Sequence, residues 1–431
     1  MSSSLTRSQI GPGVHLNALR DPKFKHNRLS VNFVLPLERD KASDNAAVPF
    51  ILRKGFRECP DFTSLNTRLA ELYGAVLDAD VTKYGGYQVL ELSIKGLDNR
   101  FALENEDITG RCASLLASVA LDPKLGAGGL FDERDVALER QYVIDSIDAE
   151  INEKRVYAMA RCIQHMCAGE PVAVRRYGER ETAEAITAAS ATEAYRRMAA
   201  QAQVEIMFVG SGDAGSAAEV FTKRFGELAR SPLSCPPVKL RGAAASVREK
   251  TEHMDLSQSK LVMGMRTGQI ESLRDTAARR VMSALYGGTP FSKLFLNVRE
   301  KLSLCYYCAA RFDVSTGLLM VDSGVEARNK QLAQEEILRQ LQSLQNGEFD
   351  ESDLVNTKLL MKNSVTTTKD SLTGLEGWYM SQILRGRSMS PEEDTALIDS
   401  VTAQEVVAAA KAVSLDTIYF LTGNETGGDA Q

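Results

Sequence analysis

A chain of 431 residues exceeds the roughly 250–300 at which single hydrophobic cores stop growing, so it divides into domains. Its 44% hydrophobic and 25% charged residues exclude disorder as the main state. A formal charge of −6, with Lys and Arg scattered among acids, excludes the concentrated basic surface that nucleic acid requires.

From the N-terminus, Met1 to Ser8 lacks the apolar block of a secretory signal, and no stretch approaches the roughly 18 apolar residues of a membrane helix. Seven cysteines in a long chain do not suggest a disulfide framework. A cytoplasmic protein with reduced thiols and no membrane partner is expected. Arg28 to Leu37 alternates apolar and polar residues before turning solidly apolar, which predicts a partly buried strand. Helices are predicted from about Ala46 to Arg53 and from about Ser64 to Tyr73, where Leu65, Leu69 and Leu72 share a face and Gly74 stands as the cap. Strands follow from Ala75 to Lys83 and from Gly86 to Ile94, around the turn Tyr84-Gly85-Gly86. Asp132 to Cys167 reads as one long helical stretch, with Val136, Val143, Ile147, Ile151, Met159, Ile163 and Met166 near helical spacing. A helix from Ala191 to Ala200, a strand from Val204 to Val209 and a helix over 211–227 close this half.

Residues 228–252 are rich in Pro, Ser and small residues and read as a linker. Beyond them the order repeats: a strand from Lys260 to Met265, a helix from Arg274 to Tyr286, Gly287-Gly288, and a helix from Phe291 to Lys301. Strands from Cys305 to Asp313 and Gly317 to Val325 follow, then helices over 330–386 and 403–413 and a strand from Thr417 to Leu421. The expected fold class is α+β: two similar domains, 1–227 and 253–431, each an antiparallel or mixed sheet packed with helices.

The chain has four histidines, His15, His26, His165 and His253, with no i, i+4 pair that would place two imidazoles on one helix face for zinc. They read as surface or structural residues. Cys305-Tyr-Tyr-Cys308 is a lone C-x-x-C; on a regular strand its two thiols point to opposite faces, which favours two buried apolar cysteines over redox chemistry or half a metal site. Gly287-Gly288 before Ser292-Lys293 lacks phosphate-loop spacing, and no G-x-S-x-G elbow occurs.

The string Gly287-Gly288-Thr-Pro-Phe-Ser-Lys-Leu-Phe-Leu-Asn-Val-Arg299-Glu300-Lys-Leu-Ser-Leu-Cys-Tyr306, with the closing stretch from Leu397, resembles the insulinase, or pitrilysin, peptidase family. The resemblance covers nearly the whole chain and implies that family's two similar halves. In active members an H-x-x-E-H motif on the first helix, with a glutamate ending a later E-R-x-x-V-x-x-E run, holds zinc and activates its water. The corresponding stretches here are Pro49-Phe50-Ile51-Leu52-Arg53 and Glu139 to Ser146. By that resemblance Pro49 and Arg53 occupy the histidine positions, Leu52 the general-base position and Ser146 the distal ligand position, while Glu139 survives. No metal, no cofactor and no catalytic residue is expected from this set.

Arg299 and Tyr306 match the family's second-half Arg and Tyr, which contact bound peptide. The competing reading is an Arg paired with Glu300 or a neighbour and a Tyr packed in the sheet. Loss of the metal set beside retention of this pair implies a non-catalytic, peptide-binding subunit that assembles with a zinc-bearing homologue. Among bacterial members the chain looks like the zinc-less type whose family name links it to elongation factor P modification. The alternative is a stand-alone homodimeric peptide-binding or scaffold protein.

Overall fold

The computed structural model describes residues 4–236, 239 and 241–423. The elements begin with strands β1 (Thr6–Gly11), β2 (Val14–Arg20) and β3 (His26–Pro36), helices α1 (Ala42–Leu52) and α2 (Phe62–Glu71), and strands β4 (Val76–Tyr84) and β5 (Tyr87–Leu97). Helices α3 (Ile108–Leu121), α4 (Glu133–Asn152), α5 (Lys154–Met166), α6 (Arg180–Glu184) and α7 (Ala188–Gln201) follow, then β6 (Gln203–Gly210) and α8 (Gly215–Gly226). Strands β7 (Arg248–His253) and β8 (Ser259–Arg266) and helix α9 (Leu273–Ser283) lead to β9 (Cys305–Asp313) and β10 (Leu318–Val325). Helices α10 (Lys330–Gln345), α11 (Glu351–Thr368), α12 (Leu372–Ile383), α13 (Pro391–Ser400) and α14 (Ala403–Lys411) precede the last strand, β11 (Ser414–Thr422).

The chain forms two compact units, one drawn from residues within 1–148, 174–237 and 368–390, the other from 149–173, 238–367 and 391–431. In the first, the described residues build a six-stranded sheet ordered β1-β2-β6-β3-β5-β4. Only β2 and β6 run parallel; the other neighbours are antiparallel, so the sheet is mixed. Its central strand β3 is covered on both faces: Phe33 meets Phe225 of α8, while Val34, one residue on, joins the cluster under α12. Two covered faces explain why this strand ends in a solid apolar run.

The second unit carries a five-stranded sheet ordered β7-β11-β8-β10-β9, with β7 and β11 parallel and the rest antiparallel. With β1 set aside the two orders are the same, since β2, β6, β3, β5 and β4 correspond to β7, β11, β8, β10 and β9. The repeat of element order is therefore a repeat of topology: an α+β chain with two mixed sheets.

The units differ from the chain halves by an exchange of helices. The stretch predicted as one helix breaks after Asn152, where Glu153 leaves helical geometry (ψ 88°) and its carboxylate accepts from the Arg155 N–H to start α5. Ala158, Cys162 and Met166 of α5 then pack on Val262, Met320, Tyr419 and Leu421 of the second sheet. Gly264 makes this possible, because a Cβ there would lie 2.6 Å from Met166 Sδ. In return α12 lays Leu375, Tyr379, Met380 and Ile383 on Val34, Val89, Met207 and Val209 of the first sheet, each buried side chain contributing about 1.5–3 kcal/mol. Polar contacts fix its register: the Arg28 guanidinium donates to both Glu376 and Glu91, and the Ser30 hydroxyl donates to Glu376.

Strands β1 and β2 and helix α3 lie outside the elements expected from the sequence, and the expected helices over 330–386 are three, α10, α11 and α12. Strand β7 begins inside the segment read as a linker and completes the second sheet by pairing with β11. No helix of the described residues is long and apolar enough to cross a membrane.

Candidate functional site

Helix α1 is almost wholly buried, Ala42, Ser43 and Asn45 through Leu52 all lying inside the first unit. Such a helix is apolar all round because every face meets protein. Pro49 sits in its interior, so Asn45 receives no backbone N–H from that position, a break that costs about 3 kcal/mol in an ordinary helix. The pyrrolidine offers no lone pair to a metal. Leu52 is 1% exposed and brings only methyl groups to the place a general base would occupy.

Arg53 ends α1 with its guanidinium 3.2 Å from Asp78 of β4 and over the Phe50 ring at 5.9 Å. Phe50 in turn stacks edge-on against Tyr142 of α4, with ring centroids 4.6 Å apart, and Lys54 reaches Glu139 of α4 at 2.9 Å. These contacts set α1 beside α4, as a two-helix metal site would. The chemistry is the reverse of one. The surviving carboxylate, Glu139, is neutralised by Lys54, and Ser146 donates its hydroxyl proton to the Tyr142 carbonyl at 2.8 Å. A permanently protonated guanidinium cannot ligate a cation. The residues present do not fit zinc, and among the described residues no three His, Cys, Asp or Glu side chains converge as a metal set would require.

The histidines occupy separate places. His15 lies 3.5 Å from Glu205 in the first sheet, His26 begins β3, His253 ends β7 with Nδ1 3.0 Å from the Gly423 carbonyl, and His165 on α5 stacks on Tyr419 at 5.9 Å. Burial lowers His15 and His165 below the ordinary histidine range.

In the second unit, Arg299 lies on a wide helical turn over Leu294–Lys301, closed by an i to i−5 bond from Leu302 N–H to the Asn297 carbonyl at 3.2 Å. Its guanidinium covers the Phe295 ring at 4.6 Å and stands 3.5 Å from Glu300. Ser303, at φ 49°, turns the chain into β9. Tyr306 is 68% exposed, and Leu296 and Leu302 are also open to solvent, so Arg299 sits in the same stretch as three exposed apolar side chains.

The pairing with β10 explains the exposure of Tyr306. Tyr307 faces Gly324 but Cys305 faces Val325, so Tyr306 is the extra residue of a β-bulge. The bulge overturns the expected alternation of the two cysteines. Cys305 and Cys308 oppose Val325 and Ser323, two positions apart on β10, and therefore share a face, where each thiol shifts the titration of the other. No spacing rule reveals a bulge, although a positive-φ serine and two consecutive tyrosines mark the place. Strand β9 ends the order of its sheet among the described residues, and beside it an open cavity of about 440 Å³ is lined by Arg280, Gly287, Gly288 and Ala309 to Phe312. Gly287 must be glycine there, since a Cβ would lie 2.5 Å from the Ala310 nitrogen.

A family model described as the peptidase M16 inactive domain matches residues 185–361. The probable inactive metalloprotease YmfF of Bacillus subtilis (strain 168) is 32% identical over 413 residues, covering 96% of this chain and 96% of that one. Among solved structures, a conserved protein from Enterococcus faecalis V583 superposes with a TM-score of 0.91 at 25% identity, covering 99% of this chain and 100% of that one. The peptidase M16 inactive domain from Pseudomonas fluorescens shares the fold, with a TM-score of 0.75 at 17% identity over 97% of this chain and 98% of that one. On end-to-end likeness of sequence and fold, the chain belongs to the M16 peptidase family, the insulinase-type family, as an inactive homologue.

Proposed function

We propose that this chain is a non-catalytic, peptide-binding subunit that assembles with a zinc-bearing homologue in the cytoplasm. The observation that carries the proposal is the contrast between two places. At the α1–α4 position Pro49, Leu52, Arg53 and Ser146 supply neither ligand nor base, whereas Arg299 and Tyr306 present a cation and a phenol to solvent beside an edge strand. An edge strand offers unpaired N–H and C=O groups to an extended peptide, and the cavity beside β9 has room for alternate side chains. Arg299 can hold a peptide carbonyl or carboxylate, and Tyr306 can donate one hydrogen bond from a rigid ring.

In this reading the zinc chemistry belongs to the partner and this chain contributes substrate contacts. A role in peptide processing or elongation factor P modification is part of the proposal on the resemblance alone. Co-expression with a homologue from the same genome that retains H-x-x-E-H tests it. A stable heteromeric complex with peptidase activity that neither chain shows alone is the expected result. A chain that purifies only as its own dimer, and leaves the homologue's activity unchanged, would instead identify a stand-alone scaffold.

A further inference from the structure

We infer that Cys305 and Cys308 form a reversible dithiol/disulfide site, a modification site on β9 whose oxidant is a hydroperoxide. The bulge at Tyr306 creates it, by turning two residues three apart into same-face neighbours. Their partners Ser323 and Val325 are two positions apart on one strand, which sets the thiol-bearing residues about 6.7 Å from each other along the sheet. That is at the upper end of the roughly 4.4–6.8 Å between the Cα atoms of a disulfide, within reach of a small closure of the bulge.

The two thiols are unequal. Cys305 keeps 9% exposure beside the open Tyr306, whereas Cys308 is 5% exposed. The hydrogen bond from Cys308, then that from Ser323 and the positive charge of Arg299, hold the Cys305 thiol down to about 7 against the effect of burial. The same bond to Cys305, with burial and the charge of Asp322, pushes Cys308 up. One sulfur is thus prepared as a nucleophile and its neighbour as the resolving thiol. Burial raises the thiol of half-buried Cys235, and Cys59, Cys112, Cys162 and Cys167 are buried.

The chemistry balances in two steps. The Cys305 thiolate attacks the terminal peroxide oxygen; an S–O bond forms, the O–O bond breaks, and the departing alkoxide takes a proton from water, leaving a sulfenic acid. The Cys308 sulfur then attacks the Cys305 sulfur; an S–S bond forms, the S–O bond breaks, and hydroxide leaves with the Cys308 proton as water. Two thiols lose two electrons and two protons, and the hydroperoxide becomes an alcohol, or water where hydrogen peroxide is the oxidant, and one further water. A disulfide would tie the strand on both sides of Tyr306; its consequence for peptide contact rests on the function proposed above, while its formation does not.

Hydrogen peroxide added to the reduced full-length chain, followed by tryptic digestion and mass spectrometry, tests the site. The peptide running from Leu302 to Arg311 should lose the mass of two hydrogens before any other cysteine changes, and dithiothreitol should restore it. In Cys308→Ser, oxidation should stop at a sulfenic acid on Cys305 that dimedone captures. Alkylation of Cys305 should reach half its plateau rate near pH 7 rather than about 8.5, and Arg299→Ala should move that midpoint upward. Because the first measurement uses the unaltered chain, a misfolded variant cannot decide the outcome. Oxidation at Cys235 first, or a Cys305 that stays reduced, would overturn the inference.

Discussion

Replacing Glu91 with Gln should remove a pH dependence of stability from the first unit. Arg28 lies between Glu91 and Glu376, so one guanidinium serves two carboxylates whose side chains are only 17% and 5% exposed. Burial, and then the negative charge of Glu376, raise Glu91 from 4.5 to about 7, while Arg28 pulls the other way and is outweighed. A carboxyl raised on folding binds its proton more tightly in the native state than in the unfolded one. The stability it contributes is complete below about 4.5 and is lost as pH rises through about 7. At 1.36 kcal/mol per pH unit, the interval from 4.5 to about 7 corresponds to about 3 kcal/mol. The assay is urea unfolding of both proteins at each pH from 5 to 8, read as the difference between them. The native chain should lose its advantage over Glu91→Gln as pH rises and be the less stable of the two at pH 8. An advantage that grows with pH would mean that Arg28 outweighs burial, and the reasoning would be refuted.

In a complex with a zinc-bearing homologue, Arg299→Ala should lower peptidase activity about ten- to hundredfold, the worth of a charge-assisted hydrogen bond of about 1.5–3 kcal/mol. Tyr306→Phe should lower it about fivefold, for one neutral bond of about 1 kcal/mol; neither should dissociate the complex, which size-exclusion chromatography checks, and unchanged kinetics would return both residues to a structural role. Gly287→Ala places a Cβ against the Ala310 nitrogen and the Leu294 side chain and should destabilise the second unit by about 1–3 kcal/mol in denaturant titration. Glu153→Ala removes the carboxylate that caps α5 and should cost about 1 kcal/mol, seen as faster hydrogen exchange at the start of that helix.

What the sequence shows and hides follows from the range of the interactions involved. Alternation made β3 and the β4–β5 hairpin legible, because one strand's pattern records the faces it covers. The duplication was legible as element order, and the matching strand orders extend it to topology. The break at Asn152-Glu153 was not, since both residues tolerate a helix interior and the apolar spacing runs on through Met166; what ends α4 is that α5 has a different sheet to cover. Helix α3 is hard to read because Thr109, Gly110, Arg111, Ser114 and Ser118 interrupt its apolar residues, yet Asp107, whose carboxylate accepts from the Gly110 N–H, is a readable cap. At the site, Pro49 and Leu52 could be read as unable to bind metal from their chemistry alone. The pairing of Lys54 with Glu139 needed the packing of α1 on α4, and the shared face of Cys305 and Cys308 needed a bulge that depends on β10.

The most direct measurement is the metal content and peptidase activity of the purified chain and of its complex with an H-x-x-E-H-bearing homologue, on the same preparations. No stoichiometric zinc and no peptide cleavage are expected for the chain alone, with about one zinc per heterodimer and cleavage in the complex. One equivalent of tightly held zinc in the chain alone, or cleavage by it, would contradict the reading of Pro49, Leu52, Arg53 and Ser146 as a lost metal site.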